Sequence, residues 1–566
     1  MQNLFGVITH KPISQRYIDT TSPLYERSKT HIGKNIAYSF EINERTSFKE
    51  CFHLSSHLHV LVAGDVLNKE SLIQLIKSML DTDYDVCKNC IIQSFNQIEG
   101  IFCIIIFNVL HKKICILSEK NGIIPIYYFY DKTEFIFSTS IKAIILAQNK
   151  QRRLNYNAVY EMFKIGFSIA PDTLFQDIYS LLPGTVLEFD GEVHLFTLPE
   201  DKQTVCPVNL KEAADIYFTL FEQSILKRVS HEKKTALLLS GGVDSAAIAA
   251  ILHKHQIPIK CYTMDCNEEQ PIEKTGAQKI CNLFQFEHIA DTQFDKEIVP
   301  SLIHTICLNE APVFNGIMEY ALSKMIETDT QVVLTGDGND LIWSIFPSNF
   351  RKILSKTGQH FSHFYLKLRS LYSDQLLQML FQFPIDPQIL CNKIDVIYNN
   401  SENFLKDVGK ADIKIFGDCF AFTSLGKIKM KENHFLFRFP YLDPYIESFV
   451  VNLPESFKHS YSTDAPFINK FLFKYALEQK QLLPKEVIHT PKTWMYSPNA
   501  TWLRTRLKSE FESIVFDKYA IANELFNMNM IRQAWKLHTD HQQDYSVLLM
   551  MVLQFELWNK IRSAVE

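Results

Sequence analysis

The chain has 566 residues, enough for two or more domains with cores of their own. Apolar residues make up 46% of it, which excludes an intrinsically disordered chain, and 58 Lys plus Arg against 63 Asp plus Glu give a net charge of -5, without the basic excess of a general nucleic-acid surface. The start, Met1-Gln2-Asn3-Leu4-Phe5-Gly6, has no basic stretch followed by an apolar one, and the longest apolar run, residues 101–110, is about half of the ~20 residues a spanning helix needs, so a cytoplasmic protein is expected, with neither a membrane nor a nucleic-acid partner.

From residue 1 to about 200, short apolar runs alternate with turns. Residues 57–62, 101–107, 113–117 and 126–130 are rich in β-branched and aromatic side chains and predict strands. Residues 67–80 and 85–98 carry helical spacing, so this half reads as α+β with stacked sheets. The twelve cysteines are scattered as reduced thiols would be; Cys87 and Cys90 form a CxxC, but no second pair completes a four-ligand zinc site. A polar segment, Pro199-Glu200-Asp201-Lys202-Gln203, followed by Pro207, marks a boundary and predicts domains 1–205 and 206–566.

From Leu210 the period turns helical, and then strands at 236–239, 259–263, 286–289 and 332–335 alternate with helices. That order predicts a parallel sheet covered on both faces, with ligands at the carboxyl ends of its strands. The remainder, from about 350, reads as mostly helical.

Two such strand ends carry chemistry. After Ala236-Leu237-Leu238-Leu239 comes Ser240-Gly241-Gly242-Val243-Asp244-Ser245, and then an Ala- and Ile-rich helix. The turn would lie at a helix N-terminus, where backbone N–H groups and the dipole favour an anion. Glycines let the backbone approach a phosphate, Ser240 and Ser245 offer hydroxyls, and Asp244 can hold Mg²⁺. An ordinary strand-to-helix turn is the alternative. The SGGxDS pattern resembles the pyrophosphate loop of the ATP pyrophosphatases, which implies ATP as the nucleotide. The second end is Thr335-Gly336-Asp337-Gly338-Asn339-Asp340. Two Asp-bearing turns on one sheet can place Asp244 and Asp340 across a triphosphate, with Mg²⁺ between them. Met264, at the end of the next strand, could border adenine.

Taken together the motifs resemble the asparagine synthetase family over nearly the whole chain. Its second loop reads roughly Ser-Gly-Glu-Gly-Ala-Asp-Glu. Arg438-Phe439-Pro440-Tyr441-Leu442-Asp443 is similar to its Arg-x-Pro-Phe-Leu-Asp, and Pro491-Lys492 to the segment whose basic residue contacts the reacting phosphate and carbonyl. In the first half, Lys120-Asn121-Gly122-Ile123-Ile124-Pro125-Ile126-Tyr127-Tyr128, Phe137-Ser138-Thr139-Ser140-Ile141-Lys142-Ala143 and Leu181-Leu182-Pro183-Gly184-Thr185 resemble turns of the family's N-terminal domain. The resemblance implies an N-terminal glutamine-amidotransferase-like (Ntn-type) α+β sandwich, followed by an α/β ATP-pyrophosphatase synthetase domain built on a parallel sheet.

The departures bear on function. The family's glutaminase uses a Cys after the initiator Met, and position 2 is Gln2. Its Asn-Gly oxyanion segment is replaced by Ala63-Gly64-Asp65. Glutamine hydrolysis is therefore not expected, and the first domain reads as a retained scaffold or a holder of a peptide or partner. In the second loop Asp337 stands for a Glu, Leu341 for the closing Glu, and Leu436 for an acid two residues before Arg438.

The resemblance then implies adenylation of a carboxylate followed by attack of an amine. Lys492 would offset developing charge, unless it is a surface lysine, and Asp337 could accept the amine proton. Arg438 contacts substrate or phosphate, or forms a structural ion pair. Trp494 and Tyr496 line a peptide pocket or pack in the core. With no glutamine-derived ammonia, the pattern is most like the lasso-peptide cyclases, which join a peptide's N-terminal amine to an Asp or Glu side chain. A precursor peptide or a small carboxylate is the expected substrate, and a leader peptidase a possible partner. An ammonia-dependent asparagine synthetase, a β-lactam-synthetase-like enzyme and a silent peptide-binding scaffold are the alternatives.

Overall fold

The computed structural model describes residues 4–9, 17, 28–32, 36–41, 48–148, 153–198, 207, 209–229, 234–265, 271–291, 298–312, 316–343, 360–398, 411–421, 435–460, 468–491 and 498–563. The boundary expected at 205/206 lies outside them. On its two sides the architecture changes: antiparallel strands end at Thr197, and the helix Leu210–Arg228 begins a parallel α/β region.

The first half stacks two six-stranded sheets. One runs Tyr179–Ser180, Tyr127–Tyr130, Glu134–Ser138, Leu4–Thr9, Ile36–Glu41, Ser28–Ile32; the other runs Val193–Thr197, Thr185–Phe189, Lys113–Ser118, Gly100–Asn108, Leu58–Val66, Phe48–His53. The strand Gly100–Asn108 shows why its sequence is an unbroken apolar run. Ile101, Cys103, Ile105 and Phe107 face the core between the sheets, while Phe102, Ile104 and Ile106 pack under an outer layer containing Leu72, Ile76, Cys87 and Ile91. A strand buried on both faces has no polar side to alternate with. The outer layer is the helices Lys69–Lys77 and Tyr84–Ser94; the opposite sheet is covered by Ile141–Gln148 and Tyr156–Ile165. Cys87 is buried and Cys90 half-buried, both as free thiols.

The second half is built on a five-stranded parallel sheet in the order Glu287–Asp291, Ile259–Met264, Thr235–Leu238, Val332–Leu334, Leu436–Arg438. Leu237, Cys261, Val332 and Leu334 pack on one face against the buried helix Val243–Lys254, and Ala236, Leu238, Tyr262 and Val333 share the opposite core with the sandwich. Beyond residue 350 the described residues are mostly helical, as expected, and the fifth strand, Leu436–Arg438, is an addition that the expectation lacked. Three residues are too few for a period of two to show, and their partner strand lies far upstream. Among the described residues no helix is long and apolar enough to cross a membrane.

Candidate functional site

The strand Thr235–Leu238 and its neighbour Val332–Leu334 run in register, Thr235 beside Val332 and Leu237 beside Leu334. Their following loops therefore leave the sheet at one edge. In the first, Ser240 is exposed and Gly241 to Asp244 are half-buried. Gly241 has φ 76, and a Cβ there would lie 2.8 Å from the backbone of Gly276 and Ala277, so a side chain is excluded on both counts. The buried Ser245 braces the turn: its Oγ accepts from Ser240 N at 3.2 Å and donates to the Gly242 carbonyl at 3.3 Å. In the second loop a Cβ on Gly336 would lie 3.1 Å from Ser245 N and 3.4 Å from Asp244 Cβ. That closeness brings the two Asp-bearing turns into contact. Met264 ends the strand on the other side and is half-buried at the same edge.

Asp244 and Asp340 converge on one cation. Lys470 Nζ lies 2.8 Å and 2.7 Å from the two carboxylate oxygens of Asp244 and 2.5 Å from Asp340 Oδ1. The lysine side chain is 3% exposed, against 22% for Asp244 and 30% for Asp340, so the ammonium lies beneath two carboxylates that reach solvent. Burial pulls the Lys470 pKa down, and the negative charge of Asp244 opposes that shift. Lys474, one helical turn on, is also held below the usual lysine range, by burial and by Lys470. Asp244 is further fixed by Asn339 Nδ2, which donates to its Oδ1 at 2.6 Å, and by the buried Tyr441 hydroxyl, which donates to its backbone carbonyl at 2.8 Å. Asp337 accepts from the Thr335 hydroxyl at 2.5 Å.

Lys470 was not singled out in the sequence, and no local pattern would have done so. It precedes the helix Phe471–Gln479 as one lysine among many, and its carboxylate partner is 226 residues away. Its backbone is left-handed, φ 52, which is uncommon for a residue with a side chain and fits a position held by its contacts.

Arg438, read from the sequence as either a substrate contact or a structural ion pair, is engaged within the chain. Its Nε and Nη2 donate to the two oxygens of Asp65 at 2.7 Å and 3.0 Å, and its Nη1 to the Arg228 carbonyl at 2.8 Å. All three directions of the guanidinium are engaged, so of the two roles left open for Arg438 this geometry is the structural ion pair. Arg228 in turn bonds Asp443 at 2.9 Å. A small cavity borders Asp65, Glu119, Arg228 and Arg438, with a volume of about 20 Å³, room for roughly one water. Glu119 is the buried acid of this turn, one residue before the segment singled out in the sequence. It accepts from Asn121 N and Ile123 N, both at 2.6 Å, and burial pushes its pKa up to about 7. Ala63, Gly64 and Asp65 do not form a loop: they are the last residues but one of the strand Leu58–Val66, in register with Cys103, Phe102 and Ile101. Lys492, Trp494 and Tyr496, and Gln2 at the other end, lie outside the described residues.

The fold and site define a two-part protein, an amidotransferase-type sandwich joined to a parallel-sheet domain with a nucleotide-type loop. The asparagine synthase family matches residues 218–382 and 428–560, and the glutamine amidotransferase domain family matches residues 77–196. The first match alone covers more than half of the chain, and the chain belongs to the asparagine synthase family. Asparagine synthetase (glutamine-hydrolyzing) 3 of Bacillus subtilis is 21% identical over 52% of this chain and 53% of its own length. Asparagine synthetase (glutamine-hydrolyzing) 1 of the same organism is 19% identical over 83% of this chain and 78% of its own. A Methanocaldococcus jannaschii protein, assigned provisionally to the same activity, is 24% identical over 50% of this chain and 58% of its own. The chain thus spans little more than half the length of two of these relatives. Among solved structures, a glutamine phosphoribosylpyrophosphate amidotransferase from B. subtilis aligns over 51% of this chain and 65% of its own with 9% identity and a TM-score of 0.24, too low to carry an argument.

Proposed function

We propose that the chain is an ATP-dependent, AMP-forming amide synthetase. A substrate carboxylate attacks the α-phosphate of ATP, pyrophosphate leaves, and an amine displaces AMP from the acyl group. The observation that carries this reading is the convergence of Asp244 and Asp340, from adjacent parallel strands, on the single ammonium of Lys470. The two carboxylates stay 22% and 30% exposed above a buried ammonium, so their oxygens are within reach of a divalent cation accompanied by polyphosphate. Among the described residues no cluster of three or more His, Cys, Asp or Glu side chains forms, so these two acids would share a Mg²⁺ with the nucleotide instead of caging it. The bound ion would neutralise leaving pyrophosphate. Gly241, Gly242, Ser240 and Ser245 would receive phosphate oxygens, Met264 would border the base, Lys470 would add positive charge where pyrophosphate departs, and Asp337 and Lys492 are assigned to the amine and acyl side of the reaction.

The amine is assigned to the substrate itself, as in a lasso-peptide-type macrolactam cyclase acting on a precursor peptide delivered with a leader peptidase. What supports this is the first domain: Ala63 has no side-chain amide, its segment is paired within a strand, and Asp65 is held by Arg438. The printed names of the relatives favour a second reading, an asparagine synthetase, here supplied with free ammonia. The test is to incubate the protein with ATP and Mg²⁺ and offer aspartate, aspartate with ammonium, or peptides bearing a free N-terminal amine and an internal Asp or Glu. Pyrophosphate, AMP and a product 18 Da lighter from a peptide are expected. Asparagine from aspartate and ammonium would overturn the cyclase assignment. No ATP binding and no turnover with any of them would overturn the enzyme reading in favour of a scaffold.

A further inference from the structure

Behind Asp244 lies a relay of side chains that no nucleotide or substrate would need to touch. Asn339 is fully buried. Its Nδ2 donates to Asp244 Oδ1 at 2.6 Å, and its Oδ1 accepts from Trp343 Nε1 at 2.9 Å. An indole N–H can only donate, so it fixes which way the amide faces: oxygen to Trp343, nitrogen to Asp244. Trp343 is also fully buried and stands edge-on to Tyr217 with ring centroids 5.5 Å apart, which leaves the indole little freedom to turn away. The order of constraint is therefore Trp343, then Asn339, then the Asp244 carboxylate. The resembled second loop carries Ala where this chain has Asn339, and Ala has nothing to donate.

We infer that Asn339 is a positioning residue of the carboxylate that would hold the metal: oriented by Trp343, it pins Oδ1 of Asp244 and so sets the orientation in which that carboxylate would receive a divalent cation. This rests on the reading of Asp244 as a metal ligand. A hydrogen bond to an ionised group is among the stronger ones, and here it adds a second, directional restraint to a carboxylate whose two oxygens also meet Lys470 Nζ.

The test uses the full chain, with Mn²⁺ and ATP as probe, and calorimetric titration in the presence of Mn²⁺ and, separately, of EDTA. Asn339→Ala removes the donor; Trp343→Phe keeps the bulk and removes only the indole N–H; Asp244→Asn controls for the metal site itself. Expected is an Mn²⁺-dependent ATP affinity that falls about tenfold in N339A and about threefold in W343F, with metal-free ATP affinity within about twofold of wild type in both. A purely structural role would lower both affinities together. Mn²⁺-dependent affinities within twofold of wild type in both variants, or equal losses with and without metal, would overturn the inference. If D244N binds Mn²⁺ and ATP like wild type, or wild type shows no metal-dependent binding, the metal reading of Asp244 falls first and carries the inference with it.

Discussion

Two clusters of charge differ in how they are balanced. At the sandwich–synthetase contact, Arg438 meets Asp65 and Arg228 meets Asp443, one base to one acid, with every side chain between 5% and 10% exposed. In the cleft, one buried lysine meets two acids that are 22% and 30% exposed. A closed, neutral cluster has satisfied its own desolvation and offers nothing to a ligand. An open cluster leaves its carboxylates within reach of solvent or of a cation. Both sites pair bases with aspartates, and exposure separates their roles.

The largest expected effect tests the closed cluster. Arg438→Met strands Asp65 without its partner and should lower unfolding free energy by about 3–5 kcal/mol in urea denaturation, while the doubly neutral D65N/R438M recovers much of the loss. Nucleotide affinity should not change; a large change would return Arg438 to the substrate site. In the open cluster, Lys470→Met should reduce pyrophosphate release by roughly 10²–10³-fold with little change in the unfolding midpoint, and a folded, fully active variant would remove Lys470 from the chemistry.

Glu119, beside the closed cluster, makes a pH prediction. Its pKa is pushed from 4.5 to about 7 by burial. Between those values the unfolded chain releases the proton while the folded chain keeps it, so stability falls as pH rises from about 4.5 to about 7, by on the order of 3 kcal/mol at most. Denaturation midpoints across that range should decline in wild type and flatten in Glu119→Gln; parallel curves would mean that Glu119 does not titrate there. The smallest effect belongs to Thr263, whose hydroxyl donates to the Leu239 carbonyl at 2.5 Å just before the first loop. Thr263→Val should cost about 1 kcal/mol of stability and leave Mn²⁺-dependent ATP binding within about twofold.

The sandwich strands were legible because β-branched and aromatic runs bounded by turns leave few other conformations, and the parallel sheet because strands alternated with helical spacing. The strand Leu436–Arg438 was not, since its existence depends on a partner, Val332–Leu334, about a hundred residues earlier. The two Asp-bearing loops were legible from glycine spacing, because close backbone approach demands glycine at Gly241 and Gly336. Their cation was not, and neither was Asn339, which reads as one polar loop residue until Trp343 and Asp244 are seen on either side of it.

By itself, then, the order of residues determined the chemical inventory: two glycine turns, their aspartates, and a first half whose segment 63–65 departs from the amidotransferase pattern. Only the tertiary structure decided which base answers which acid. Arg438 lies 373 residues from Asp65, and Lys470 lies 226 from Asp244. Over such distances nothing local selects a partner; the choice follows from which strand ends and helix starts the packed core brings within a few ångströms, where burial makes an unpaired charge too costly to keep.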